Sequence, residues 1–284
     1  MSVVKKDMTK QNSNINIHSV ENSLKKPIES FFITVYPPDY LKSHGLEHHR
    51  RVWEYAKEII STSGYKTDID LHFLRELIVA CFFHDIGMAI NHGINHGVTS
   101  LEKTNEFMKF SKMDPAEFKD SLNAIEYHDD KDYSAPLKTN RILDVLSIAD
   151  DLDAFGFTGI YRYTDIYLRR GVKTDELGFI IRENALKRFK NFLRNKTFSD
   201  PFLIKHSERF RILDNFFKKY NENISRYIFR TSSPSGYCGI IDLQISCLDP
   251  GKERDFSNIL HNYSNDSVIS WFTKGLQSEL NFKI

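Results

Sequence analysis

Apolar residues recur along most of this chain at the spacing of helices. Over 46–61, Val52, Tyr55, Ala56, Ile59 and Ile60 share one helical face, and Gly64 follows as a stop. The stretch 69–86 is apolar nearly all round in its second half, which predicts a helix in the middle of a fold, ended by Gly87. A glycine-rich loop, NHGINHG, follows, with Thr99 and Ser100 as expected caps of the next helix. Asp114-Pro115 opens another, with Phe118, Leu122 and Ile125 on one face. Residues 139–154 form a further amphipathic helix before Gly156, and Pro136 breaks the chain ahead of it. Helical patterning continues over 176–195 and 205–229, with Lys and Arg on the outer faces. Within the last third, YCGIIDLQISC (237–247) is the one segment that reads as a strand. Residues 1–28, rich in Lys, Asn, Ser and Gln, read as a flexible tail.

Composition narrows the class. Of the 284 residues, 40% are apolar and 27% charged, an ordinary globular mixture for a chain long enough to bury a core without disulfides. A net charge of +1 supplies no overall field for nucleic acid or a membrane surface. The longest apolar run, Leu77–Phe83, is far too short to span a bilayer. Cys81, Cys238 and Cys247 form no CxxC pair. With no leader-like apolar core near the start, this suits a cytoplasmic, reducing setting.

Candidate chemistry centres on Phe82-Phe83-His84-Asp85-Ile86-Gly87. A carboxylate and an imidazole at the end of an apolar helix need compensation if buried, and a divalent cation provides it. A His–Asp hydrogen bond capping the helix would serve the same end for this dipeptide alone. Upstream lies His44-Gly-Leu-Glu-His48-His49-Arg50-Arg51-Val52, and downstream Ile148-Ala149-Asp150-Asp151-Leu152-Asp153. On the downstream helix Asp150 shares the apolar stripe of Leu143 and Leu146. Asp151 is expected on the outer face with Asp144 and Ser147.

The order H…HD…D, with xxRV after the first His and AD-x-LD around the last Asp, resembles the HD-domain superfamily of metal-dependent phosphohydrolases over about 44–156. The resemblance implies an all-α HD-domain bundle. It would occupy 29–170, with a C-terminal, mostly helical extension over 171–284 that could serve as an output or homodimer surface. It further implies His48, His84, Asp85 and Asp150 as metal ligands; His49 flanks the same face, and only the xxRV spacing favours His48. The cofactor would be one or two divalent ions, among Mn, Fe, Ni, Co, Zn and Mg. His96 and His128 join Asp85 and Asp150 as catalytic candidates, through a second metal or a phosphate contact. Arg51 and Lys131 are candidate phosphate contacts.

A small phosphorylated compound, perhaps a nucleotide, is the implied substrate. Two features depart from better-defined groups. Met88 stands where some HD nucleotidases have Glu and where cyclic-dinucleotide phosphodiesterases have Lys, and no GYP tripeptide follows. An HD-type di-iron oxygenase using six ligands, or a non-catalytic metal or nucleotide sensor, are the competing expectations. No phosphate loop, GxGxxG, GxSxG or HExxH occurs.

Overall fold

A computed structural model describes residues 2–36, 42–62, 69–90, 93, 96–129, 140–194, 198–248 and 256–280. Among them the chain is all-α, without strands. The helices are α1 (Ser2–Val35), α2 (Leu46–Ser61), α3 (Leu71–Phe83), α4 (His96–Phe110), α5 (Lys119–Tyr127), α6 (Arg141–Asp153), α7 (Gly156–Arg169), α8 (Thr174–Arg194), α9 (Asp200–Asn223), α10 (Gly236–Cys247), α11 (Phe256–His261) and α12 (Ser267–Leu280). They fall into two compact units. One is Met1–Leu152 with Lys196–Ser199, the other Asp153–Asn195 with Asp200–Ile284. The division falls at Asp153, not at the expected residue 170.

In the first unit, α3 is the central helix. Its residues from Phe73 to Phe83 are buried except Arg75, and α1, α2 and α5 pack around it. The side chain of Asp70 accepts from the N–H of Phe73 and so starts the helix. On α2 the face built from Val52, Tyr55, Ala56, Ile59 and Ile60 is the buried one. Asn140 caps α6 by accepting from the N–H groups of Ile142 and Leu143. Glu76, on α3, does the same service at a distance: its carboxylate lies 3.1 and 3.4 Å from the N–H groups of Asp120 and Ser121 at the start of α5.

Three expectations are corrected. The segment expected as a flexible tail lies within α1, where Val20, Leu24, Ile28 and Phe32 are buried at four-residue spacing and Glu21 accepts from Trp53 and Lys57 of α2. Its polar composition masked a narrow apolar stripe that has a neighbour to pack on. The strand expected at 237–247 is helix α10. Its polar residues Asp242, Gln244 and Ser246 alternate with apolar ones as in a strand, but Asp242 and Gln244 are buried with their apolar neighbours, so the alternation marks no solvent face, and a helix pairs its backbone groups without needing a partner strand. Helix α4 begins at His96, ahead of the expected caps Thr99 and Ser100, which lie inside its first turns.

The second unit has its own core. Ile160, Leu177, Ile181, Leu213, Phe216, Ile240, Ile241, Ile269 and Phe272 come from α7, α8, α9, α10 and α12. Within it the Arg162 guanidinium lies 3.0 Å from Asp153, both buried. Among the described residues no helix is long and apolar enough to cross a membrane.

Candidate metal centre

Five chain segments deliver side chains to one buried spot in the first unit. The first turn of α2 brings His48 on its buried face. Because α3 is apolar all round, its C-terminal end is itself in the core, so the two residues that leave it, His84 and Asp85, are buried as well. Helix α6 contributes Asp150, His96 opens α4, and His128 follows the last turn of α5. Two glycines make the last approach. A Cβ on Gly87 would sit 2.3 Å from the carbonyl oxygen of His96, and one on Gly97 would sit 2.6 Å from that of Glu126. Only bare backbone lets the start of α4 lie against both the HDIG turn and the end of α5. The Ser100 hydroxyl fixes the first contact by accepting from the Gly87 N–H at 2.9 Å.

The donor atoms form two groups that share a carboxylate. His48 Nε2 and His84 Nε2 are 3.1 Å apart, and Asp85 Oδ2 lies 3.3 and 3.5 Å from them. Asp150 Oδ1 is 3.9 Å from each. On its other side Asp85 Oδ1 lies 2.9 Å from His128 Nε2 and 3.2 Å from His96 Nε2, and these two nitrogens are 3.2 Å apart. Ligand atoms of His48, His84, Asp85 and Asp150 all fall within 4.8 Å of one another, as do those of Asp85, His96 and His128. Asp129, mostly outside the core, reaches within 3.8 Å of His96 Nε2.

The ring orientations suit cations. His84 Nδ1 is 3.0 Å from the carbonyl of Cys81, His96 Nδ1 2.8 Å from that of Gly93, and His128 Nδ1 2.8 Å from that of Ile125. A carbonyl only accepts, so each ring donates from Nδ1 and, when neutral, turns a bare Nε2 lone pair inward. The lone pairs of His96 and His128 face one another at 3.2 Å beside the Asp85 carboxylate, and His48 Nε2 lies 3.1 Å from the inward lone pair of His84. Such a cluster is repulsive unless a cation, or protons in its place, sits among the donors. The donor set therefore fits two divalent ions with Asp85 between them.

Electrostatics of the bare cluster agree. Burial alone would raise the Asp85 carboxyl. The charge of His84 and hydrogen bonds from His128, His48 and His96 overcome it and hold the group well below the usual carboxylate range. Burial pushes His96 down, but Asp85 prevails and raises it to about 9, so without metal this ring carries the missing positive charge. His128 is lowered by burial despite Asp85.

His48, His84, Asp85, Asp150, His96 and His128 are thus brought together. His49 also has a nitrogen near His48 and His84, but that trio has no carboxylate. Its Nε2 is 3.1 Å from the Tyr36 hydroxyl, which donates to the carbonyl of His44, and its ring packs edge-on to Phe32. Burial, then His48 and His84, keep His49 neutral. Arg51 lies half-buried on α2 outside both groups of donors, and Lys131 lies outside the described residues. Asp151 corrects the expected outer-face placement: it is fully buried, because α6 is covered on nearly every side, yet it belongs to neither donor group. The role of Ser100 went unread in the sequence; no local pattern marks a hydroxyl that receives a backbone N–H thirteen residues away.

Residues 45–156 match the HD domain family. No curated protein matches the chain. Among solved structures it is similar to a structural-genomics target from Lactobacillus plantarum. The identity is 16% and the TM-score 0.52, over 71% of this chain and 97% of that one. At that identity the likeness concerns the fold alone.

Proposed function

We propose that this chain, whose residues 45–156 match the HD domain family, is a two-metal phosphohydrolase acting on a small phosphorylated compound. The observation that carries the reading is Asp85, whose two oxygens serve two separate histidine pairs. Divalent ions held there would supply Lewis acidity toward phosphate oxygens and acidify water. His48, His84, Asp85 and Asp150 would hold one ion, and Asp85, His96 and His128 the other. The three backbone-anchored histidines keep their rings fixed, so the donors need no rearrangement when an ion arrives. Mixed nitrogen and oxygen donors suit Mn, Fe, Co, Ni or Zn better than Mg, which prefers oxygen and water.

The same six donors suit the oxygenase alternative, and one experiment separates them. Purified protein is loaded in turn with Mn²⁺, Fe²⁺ and Zn²⁺. It is then offered a panel of phosphomonoesters, phosphodiesters and nucleotides while phosphate release and oxygen uptake are both recorded. Metal-dependent phosphate or nucleotide release that vanishes in Asp85→Ala supports the proposal. Oxygen uptake by the iron form without phosphoester turnover overturns it in favour of an oxygenase. Neither activity, with a nucleotide raising the melting temperature, overturns it in favour of a sensor.

A further inference from the structure

Helix α8, in the second unit, carries an apolar stripe on its exposed side. Phe179, Leu186 and Leu193 are 61%, 42% and 48% exposed. They recur every seven residues, two turns apart, and so line up along one side of the helix. The opposite side, with Leu177, Ile181, Ala185 and Phe192, is buried, with α9 as its main neighbour. One border of the stripe is electrically quiet. Arg182 is bound to Asp214 of α9 at 2.8 Å, and Phe189 stacks on Phe210 at 4.0 Å. The other border is charged in order along the helix: Glu176 and Glu183 in the N-terminal half, Lys187 and Lys190 in the C-terminal half, all exposed. Glu183 pairs within the helix with Lys187 at 2.8 Å, and the helix dipole favours bases only in the last turn, so neither effect accounts for Lys190.

Such an order is complementary to itself when reversed. We propose that α8 is a homodimer interface in which two copies of this chain pair these helices antiparallel about a twofold axis at Leu186. Phe179 then faces Leu193 of the other copy at both ends, and Leu186 meets its own counterpart. Glu183 of each copy lies beside Lys190 of the other, whereas a parallel pairing would set the charged border of each helix against the quiet border of its partner and form no such pairs. A helix of 21 residues is about 31 Å long. One helix pair of that length is a small interface, so the dimer dissociates at roughly micromolar concentration.

The test is sedimentation equilibrium of the full chain over roughly 1–200 µM, a range bracketing that affinity. Wild type should move from monomer to dimer. Leu186→Glu places two carboxylates on the axis and should weaken association at least ~50-fold. Glu183→Lys and Lys190→Glu should each weaken it several-fold, and the double swap should restore it. Oxidative cross-linking reads the direction, with the wild-type chain as control for its native cysteines. Leu186→Cys should cross-link to itself; Phe179→Cys should cross-link only when mixed with Leu193→Cys. A wild type that stays monomeric throughout, a dimer that survives Leu186→Glu, a double swap that does not restore association, or a Phe179→Cys chain that cross-links to itself overturns the proposal.

Discussion

Asp85 offers the sharpest perturbation. Asp85→Asn keeps the side chain's size but removes the charge and replaces one of the two oxygens that reach the histidine pairs at 2.9–3.5 Å. With two dications bound, Asp85 and Asp150 are the two carboxylates among the six donors. After the change one carboxylate remains for both ions, and neither donor group keeps a shared anionic bridge. His96→Ala is the milder partner. It leaves His48, His84, Asp85 and Asp150 intact and reduces the second group to two donors. At metal concentrations about a hundredfold above the dissociation constant, each ion stabilises the fold by about 2.7 kcal/mol. For a unit of this size that is a rise of roughly 5–10 °C in melting temperature per ion.

The assay is elemental analysis after desalting, with thermal melts of the same samples with and without Mn²⁺. Wild type should hold two ions and show the full rise. His96→Ala should hold one ion and show about half the rise, and Asp85→Asn should hold none and show no rise. Circular dichroism of the metal-free proteins establishes that each is folded. If folded Asp85→Asn still binds two ions, or His96→Ala keeps both with the full rise, Asp85 is not a bridge and the two-ion reading fails.

Other expectations concern the scaffold. Burial raises the Asp144 carboxyl to about 6. The folded state therefore holds its proton longer than the unfolded chain, and stability falls as pH climbs from about 4 to 6. Asp144→Asn should stabilise the protein by roughly 1–2 kcal/mol above pH 6 and by nothing near pH 4, the figure being reduced for partial solvent screening; a gain that is equal at both pH values refutes the assignment. Glu76→Ala leaves the Asp120 and Ser121 N–H groups without their carboxylate and should cost about 2 kcal/mol in urea unfolding. Arg162→Ala removes the guanidinium that lies 3.0 Å from the buried carboxylate of Asp153 and should destabilise by about 3 kcal/mol, without changing metal stoichiometry. Asp151→Ala should likewise keep wild-type metal content, measured in the same elemental analysis.

Much of this was legible along the chain, because helices answer to local periodicity. The buried face of α2, the all-round apolar α3 and the helix carrying Asp150 follow from spacings of three and four residues, and the candidate ligands follow from the resemblance of their order and flanks to HD domains. Where burial is complete, local pattern loses its meaning. Segment 237–247 alternates polar Asp242, Gln244 and Ser246 with apolar residues like a strand, yet Asp242 and Gln244 are buried in a helix, so the alternation does not report a solvent face. Asp151 lies on what its own helix would treat as an outer face, yet α6 is enclosed and the residue is buried. In α1 the reverse holds: polar composition hid four apolar residues whose value exists only because α3 lies beneath them.

Residue order, through its resemblance to HD domains, named the candidate metal ligands. It could not determine that Asp85 would face two histidine pairs at once. That depends on Gly87 and Gly97 admitting the start of α4 to within backbone contact of two other segments. The supply of candidate donors is a property of the chain, whereas the placing of one carboxylate between two histidine pairs is a matter of distances between segments far apart in sequence. Only packing sets those distances.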